Sequence, residues 1–205
     1  MKKIKNIFKN KVTRNASWMI IGRIYQMSLS FVVSMLTARY LGPSNYGLIN
    51  YASSFTSFFS TFCVLGINSV IVKNFIDHPN EEGKTTGSAI GVRMISSICS
   101  VVLIMVATLF LDRGERTTHL VVLLLGLGAI PQVFDTLNYW FQAKLESKYA
   151  AIASAIGYTV MMGYKISLLV FQKNVVWFAA ASSIEYLVVA VCLYYNYRRH
   201  GGPSL

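Results

Sequence analysis

The chain has 205 residues, of which 54% are hydrophobic and only 13% charged, with a formal net charge of +11. Soluble domains carry roughly 25% charged residues, so this composition excludes an ordinary soluble fold. The positive charge calls for no nucleic acid, because basic residues beside membrane helix ends face anionic lipid headgroups.

Residues 1–14 form a basic head, expected on the cytoplasmic side. Ile4, Ile7 and Phe8 among lysines fit either an amphipathic segment lying on the inner membrane surface or a basic tail without fixed structure. The head looks like the start of a signal peptide. The apolar run behind it is too long for one, and no small-x-small cleavage site follows, so it reads as a retained first helix.

Six apolar runs then fill the chain: 16–38, 47–72, 88–111, 118–141, 149–171 and 175–197. A helix rises about 1.5 Å per residue, so about 20 residues cross a 30 Å hydrocarbon core. The expected fold is therefore all-α, a single six-helix transmembrane domain over residues 1–205 with a tail at 198–205. With the N-terminus inside, the inner segments hold thirteen basic residues, among them Lys2, Lys3, Lys5, Lys9, Lys11, Arg14, Lys73, Lys84, Arg93, Lys144, Lys148, Arg198 and Arg199. The outer loops hold four: Arg39, Arg113, Arg116 and Lys173. The positive-inside bias thus places both termini in the cytoplasm.

The first span carries a polar stripe of Arg23, Gln26, Ser30, Ser34 and Thr37, spaced to share one helical face. Between the first two spans, Gly42-Pro43 with Asn45 and Gly47 are turn formers, expected to join the helices tightly outside the membrane. The second span repeats the stripe with Asn50, Ser53, Ser57, Ser60 and Asn68. The third has Arg93, Ser96, Ser97 and Ser100. In the fourth, Pro131 removes a backbone hydrogen bond and predicts a kink one turn before Asp135, with Asp135, Asn138 and Gln142 on the face beyond it. Such a kink suits a moving gate, and equally a static packing bend. The fifth span shows Ser154, Tyr158 and Lys165, and the sixth holds Glu185.

Small Ser, Thr and Gly residues let membrane helices approach closely, which accounts for most of the serines. It does not account for ionisable groups, each costing about 2.5–3.5 kcal/mol at helix-centre depth. Arg23, Asp135 and Glu185 are read as facing a cavity or a charged partner. Arg93 and Lys165 lie nearer the membrane surfaces, where snorkelling explains them and cavity contact is the second reading. The picture is a bundle around a hydrophilic cleft with cationic groups toward the cytoplasm, suited to phosphate because Arg binds it bidentately.

Cys63, Cys99 and Cys192 fall within spans and read as apolar filler, with neither disulfide nor metal expected. His78, His119 and His200 are far apart in sequence. No cofactor site and no nucleophile–base pairing is evident, so an enzyme is not expected.

Two stretches resemble bacterial polysaccharide flippases, the Wzx-like translocases for O-antigen or capsule within the multidrug/oligosaccharidyl-lipid/polysaccharide exporter superfamily. The first is residues 14–55, with R-N-x-x-W at Arg14–Trp18, then ARYLGPSNYG and an aromatic, serine-rich second helix; Leu65-Gly66-Ile67 also fits. The second is residues 137–154, LNYWFQAKLESKYAAIAS. The resemblance covers the chain in order and spacing and implies a multi-pass protein of the bacterial inner membrane, acting in lipopolysaccharide or capsule synthesis. It implies translocation of a polyprenyl-pyrophosphate-linked oligosaccharide by ion-coupled alternating access, with cleft arginines holding the pyrophosphate. Arg23 is carried over for that contact, Arg93 more weakly, and Asp135 or Glu185 for the coupling ion.

Family members resemble two lobes of about six helices, whereas this chain resembles the first alone. A homodimer, a second chain or a shortened product are the expectations that follow. Two other functions compete: a cation-coupled small-molecule exporter on the same scaffold, and a non-transporting subunit of a glycan-assembly complex.

Overall fold

The computed structural model describes residues 11–64, 67–77, 81–111 and 115–203. Lys2, Lys3, Ile4, Lys5, Ile7, Phe8, Lys9, Leu65, Gly66, His78 and Arg113, and the side chains of Cys63, Ile67 and Asn68, all named above from the sequence, lie outside the described residues. The described part is helical throughout, with no strand. The helices are α1 (Lys11–Val64), α2 (Ile67–Asp77), α3 (Glu82–Leu111), α4 (Arg116–Leu127), α5 (Ala129–Gln132), α6 (Thr136–Ala143), α7 (Ser147–Val170) and α8 (Val175–Arg199). Five stretches are long and apolar enough to cross a bilayer, and the first of them, Lys11–Thr61, has more than twice the residues one crossing needs. The protein is a multi-pass membrane protein.

The excess length of α1 is resolved at Gly42. Its φ of 72° and ψ of 174° are non-helical, and Pro43 opens the second half. A left-handed φ suits glycine, and proline fits the first turn of a helix, where its missing N–H leaves no bond unmade. Arg23 in the first half and Ser60 in the second both line cavities bounded by Gln132 and Tyr186, so the chain reverses at Gly42. The turn is smaller than its sequence implied. Asn45 and Gly47 already sit inside the helix, and Asn45 Nδ2 donates to the Leu41 carbonyl at 3.3 Å across the bend. Tyr40 secures this end, its hydroxyl donating to Lys173 O at 3.4 Å and its ring 5.8 Å from that of Phe178.

The first half of α1 packs on one side only. Ile20, Ile21, Ile24, Met27, Phe31 and Met35 are exposed, as lipid-facing residues must be. The helix also starts earlier than expected, taking Lys11–Arg14 out of the basic head.

The fourth span is interrupted on both sides of Pro131, where the sequence predicts a kink. The helix breaks into α4, α5, a 3-10 turn at Val133–Asp135, and α6. The ring of Pro131 withholds one donor, and the tighter turn that follows takes up the misfit. α7 packs most extensively on α8 and on α1. Small residues make both approaches possible. A β-carbon at Gly22 would lie 3.3 Å from Ala151 Cβ, and one at Gly157 would fall on Val189 Cγ2.

Two apolar clusters hold the ends together. One comprises Ala52, Ile104, Val121, Val122, Leu125, Val175 and Ala179. The other gathers Ile71, Phe75, Leu137, Trp140, Phe141, Leu193 and Tyr197 at the end where the chain starts and finishes. At that end Asn15 Oδ1 accepts from Ser147 N at 2.7 Å, and Lys148 Nζ lies 5.5 Å from the Trp18 ring centroid. Asn15 and Trp18 thus dock the start of α7. The C-terminal tail folds back, with Gly202 N donating to Tyr197 O at 2.9 Å and Tyr197 OH to Pro203 O at 3.0 Å.

Candidate functional site

Three adjoining cavities run through the middle of the bundle. The first, about 340 Å³, is lined by Arg23 and Gln26 from α1, Pro131 and Gln132 from α5, and Asp135 and Asn138 beyond the kink. Ser154 and Tyr158 of α7 and Glu185 and Tyr186 of α8 complete it. The helical period explains the convergence. Arg23 and Gln26, Asp135 and Asn138, and Ser154 and Tyr158 are each three or four residues apart, so each pair projects from one face.

The second cavity, about 470 Å³, is lined by Ser53, Thr56, Ser57, Ser60 and Thr61 of α1, Ser182 and Tyr186 of α8, and Gln132. The third is a recess of about 140 Å³ holding Arg93, Ser96, Ser97 and Ser100 of α3 with Ser60, Gln132, Asp135 and Tyr139. Gln132 borders all three, Tyr186 joins the first two, and Asp135 joins the first and third. The voids are therefore compartments of one cleft.

The charges inside it are arranged unevenly. Arg93 is buried, with Nη1 donating to Thr136 Oγ1 at 3.3 Å and its guanidinium 5.3 Å from the Tyr139 ring centroid. Its side chain is enclosed within the bundle, and it lies close enough to Asp135 to act on it electrostatically. Asp135 also accepts from Asn138 Nδ2 at 3.4 Å. Lys165 stands outside the cavities but within electrostatic reach of Glu185. Each carboxylate thus has its own cation. Arg23 makes no salt bridge among the described residues and lies exposed at the mouth of the first cavity.

Of the sequence-derived candidates, Arg23, Gln26, Pro131, Asp135 and Glu185 share one cavity, Arg93 lies in the adjoining recess, and Lys165 is in neither. The helix-1 stripe is only partly inward. Thr37 is buried and Gln26 and Ser34 half-buried, whereas Ser30 is exposed. Asn50 is likewise exposed and Gln142 reaches no cavity, while Ser53, Ser57 and Ser60 line one as a group.

Sequence reasoning passed over Gln132 and Tyr186, the two residues that connect the compartments. Gln132 had a legible signal, since it sits one turn before Asp135 on the same face. Tyr186 had none, being one of twelve tyrosines in an apolar chain.

The chain is matched by a family model, polysaccharide biosynthesis protein, over residues 12–204. The chain belongs to the polysaccharide biosynthesis protein family. No curated protein and no solved structure matches it. The two stretches that resemble the flippases meet in space in this family member: Asn15 and Trp18 of the first contact Ser147 and Lys148 of the second.

Proposed function

We propose that the protein acts in the bacterial inner membrane as one lobe of a transporter, not as an enzyme. Its substrate is a polyprenyl-pyrophosphate-linked oligosaccharide, moved outward for surface polysaccharide synthesis. Both ends of this lobe face the cytoplasm.

The observation that carries this reading is Arg23. A cation on a cavity wall, with no salt-bridge partner among the described residues, favours an anion arriving from outside. Its planar guanidinium matches two phosphate oxygens at once, and Gln26 and Asn138 supply further donors beside it. Asp135 and Glu185, already countered by Arg93 and Lys165, repel the phosphate less than bare carboxylates would. They provide sites for a coupling cation, and the broken helix around Pro131 provides the moving element. The prenyl chain stays in lipid beside the exposed apolar face of α1.

Arg23→Ala should abolish surface polysaccharide while leaving the amount of membrane-inserted protein unchanged. Normal polysaccharide in that variant overturns the assignment. Altered drug susceptibility without any polysaccharide defect would instead indicate a small-molecule exporter.

A further inference from the structure

The contact between α1 and α7 has two flanks with different surroundings. Asn15 meets Ser147, Trp18 meets Lys148, Gly22 approaches Ala151 and Tyr25 meets Thr159, in order from the foot of both helices. On one flank Arg23 and Gln26 of α1 and Ser154 and Tyr158 of α7 line the first cavity. On the other, Ile21, Tyr25 and Ile152 are exposed and line none of the three cavities. That second flank faces the bilayer. The helical period sets Arg14 on it, one turn before Trp18, and sets Lys148 on it, one turn before Ile152. Lys11 stands one turn before Asn15, beside the start of α7.

The foot of this seam gathers cations without counter-charges. Lys11, Arg14 and Lys148 are exposed and make no salt bridge among the described residues. Neither α1 nor α7 contains an acidic residue. Glu146, just before α7, is exposed and pairs with none of the three. Elsewhere at the same end Lys144 is held by Glu82 at 3.0 Å. Lys148 Nζ instead lies 5.5 Å from the Trp18 ring centroid, a contact that leaves its charge in place.

We propose that the seam binds an anionic phospholipid of the adjoining leaflet. Its phosphodiester is held by Lys11, Arg14 and Lys148, and its acyl chains lie over Ile21, Tyr25 and Ile152. The orientation proposed above makes this the cytoplasmic leaflet. The site lies outside the cleft and does not depend on what the cleft carries.

The order of groups along the seam is that of such a lipid. Cations stand at the membrane surface, an indole follows at the interface, and apolar surface continues at hydrocarbon depth. Arg14 can grip two phosphate oxygens at once, while the lysines act as point charges. The Tyr25 and Thr159 hydroxyls bond each other at 2.9 Å, so neither is left open toward the acyl chains. A zwitterionic lipid brings its own cation to the same foot and gains less, and a soluble phosphate has no tail for the flank above.

The test reads lipid preference at Trp18 in the full chain, reconstituted in phosphatidylcholine bilayers. Trp177→Phe removes the other exposed indole, and Trp140 is buried. Quenching by phosphatidylglycerol brominated on its acyl chains is compared with quenching by phosphatidylcholine brominated in the same way. Phosphatidylglycerol should associate about tenfold more strongly, with salt screening holding each of the three cations to a two- or threefold share. In the combined Lys11→Gln, Arg14→Gln and Lys148→Gln variant the preference should fall below about twofold. Arg14→Gln alone should reduce it about threefold, and serves if the combined variant does not insert. Lys73→Gln with Lys84→Gln removes two cations from α2 and α3 at the same end and should leave the preference unchanged.

Equal association of the two lipids with the wild type overturns the site. So does a preference that survives loss of the three seam cations, or an Arg14→Gln variant without effect. A preference lost with Lys73 and Lys84 overturns it too, because the whole basic surface would then attract the lipid and the seam would hold none.

Discussion

Two polar regions of this bundle are built from similar side chains and end in opposite states. At the end where the chain begins and finishes, Glu82, Trp140 and Lys144 satisfy one another. Glu82 accepts from the Trp140 indole at 2.9 Å and holds Lys144 at 3.0 Å, and Lys144 covers the Trp140 ring at 4.9 Å. Tyr197 closes the same knot, its ring 4.9 Å from that of Trp140. Midway through the bundle, Arg23, Gln132 and the serines around the second cavity are left facing space. Polar groups with partners fix the helices relative to one another. Groups left open around a cavity leave the stabilisation to whatever binds there. Position in the membrane alone does not separate the two, because Ser183 at middle depth donates to the Leu124 carbonyl and is structural.

This contrast can be broken most severely where neither region lies, at the α7–α8 contact that carries both. Gly157→Leu drives its side chain into Val189 and should cost about 3 kcal/mol, read as loss of monodisperse protein after detergent extraction. Gly163→Leu on the same helix has open space and should behave like the wild type. In the knot, Glu82→Ala strands the Trp140 N–H and unpairs Lys144, and should destabilise by about 1–3 kcal/mol in a thermal melt. Trp140→Phe should cost somewhat less, because the ring packing on Tyr197 is retained. In the cleft, Arg23→Ala should shift the melting temperature least, within about 0.5 kcal/mol, while removing function. A melt showing Arg23 as destabilising as Glu82 would make the cleft a second structural knot. The finest distinction is wetness. Single cysteines at positions 23 and 132, in a background lacking the native ones, should react with a water-soluble thiol reagent, and one at position 140 should not.

Much of the fold was legible because helical periodicity is local. The six apolar runs, the reversal at Gly42 and the break after Pro131 each depend on a few neighbouring residues. So do the inward triplets Ser53–Ser57–Ser60 and Arg93–Ser97–Ser100. The same logic misled where a stripe is wider than the face that packs. Ser30 and Asn50 satisfy the spacing yet stay exposed, and Gln142 continues the period of Asp135 beyond the cavity. Height is the physical cause there, since Gln142 stands seven residues past Asp135 on a regular helix, about 10 Å further along the axis.

The sequence by itself determined the solvent of this protein, the number of its apolar crossings and which residues share a helical face. Those follow from side-chain transfer energies and from 3.6 residues per turn. Only the tertiary structure decided which polar groups find partners. Glu82 and Trp140 are 58 residues apart, and Arg93 and Thr136 are 43 apart. Such pairs form through the relative rotation and height of separate helices, quantities set by packing at small residues such as Gly22 and Gly157 and not by any local pattern.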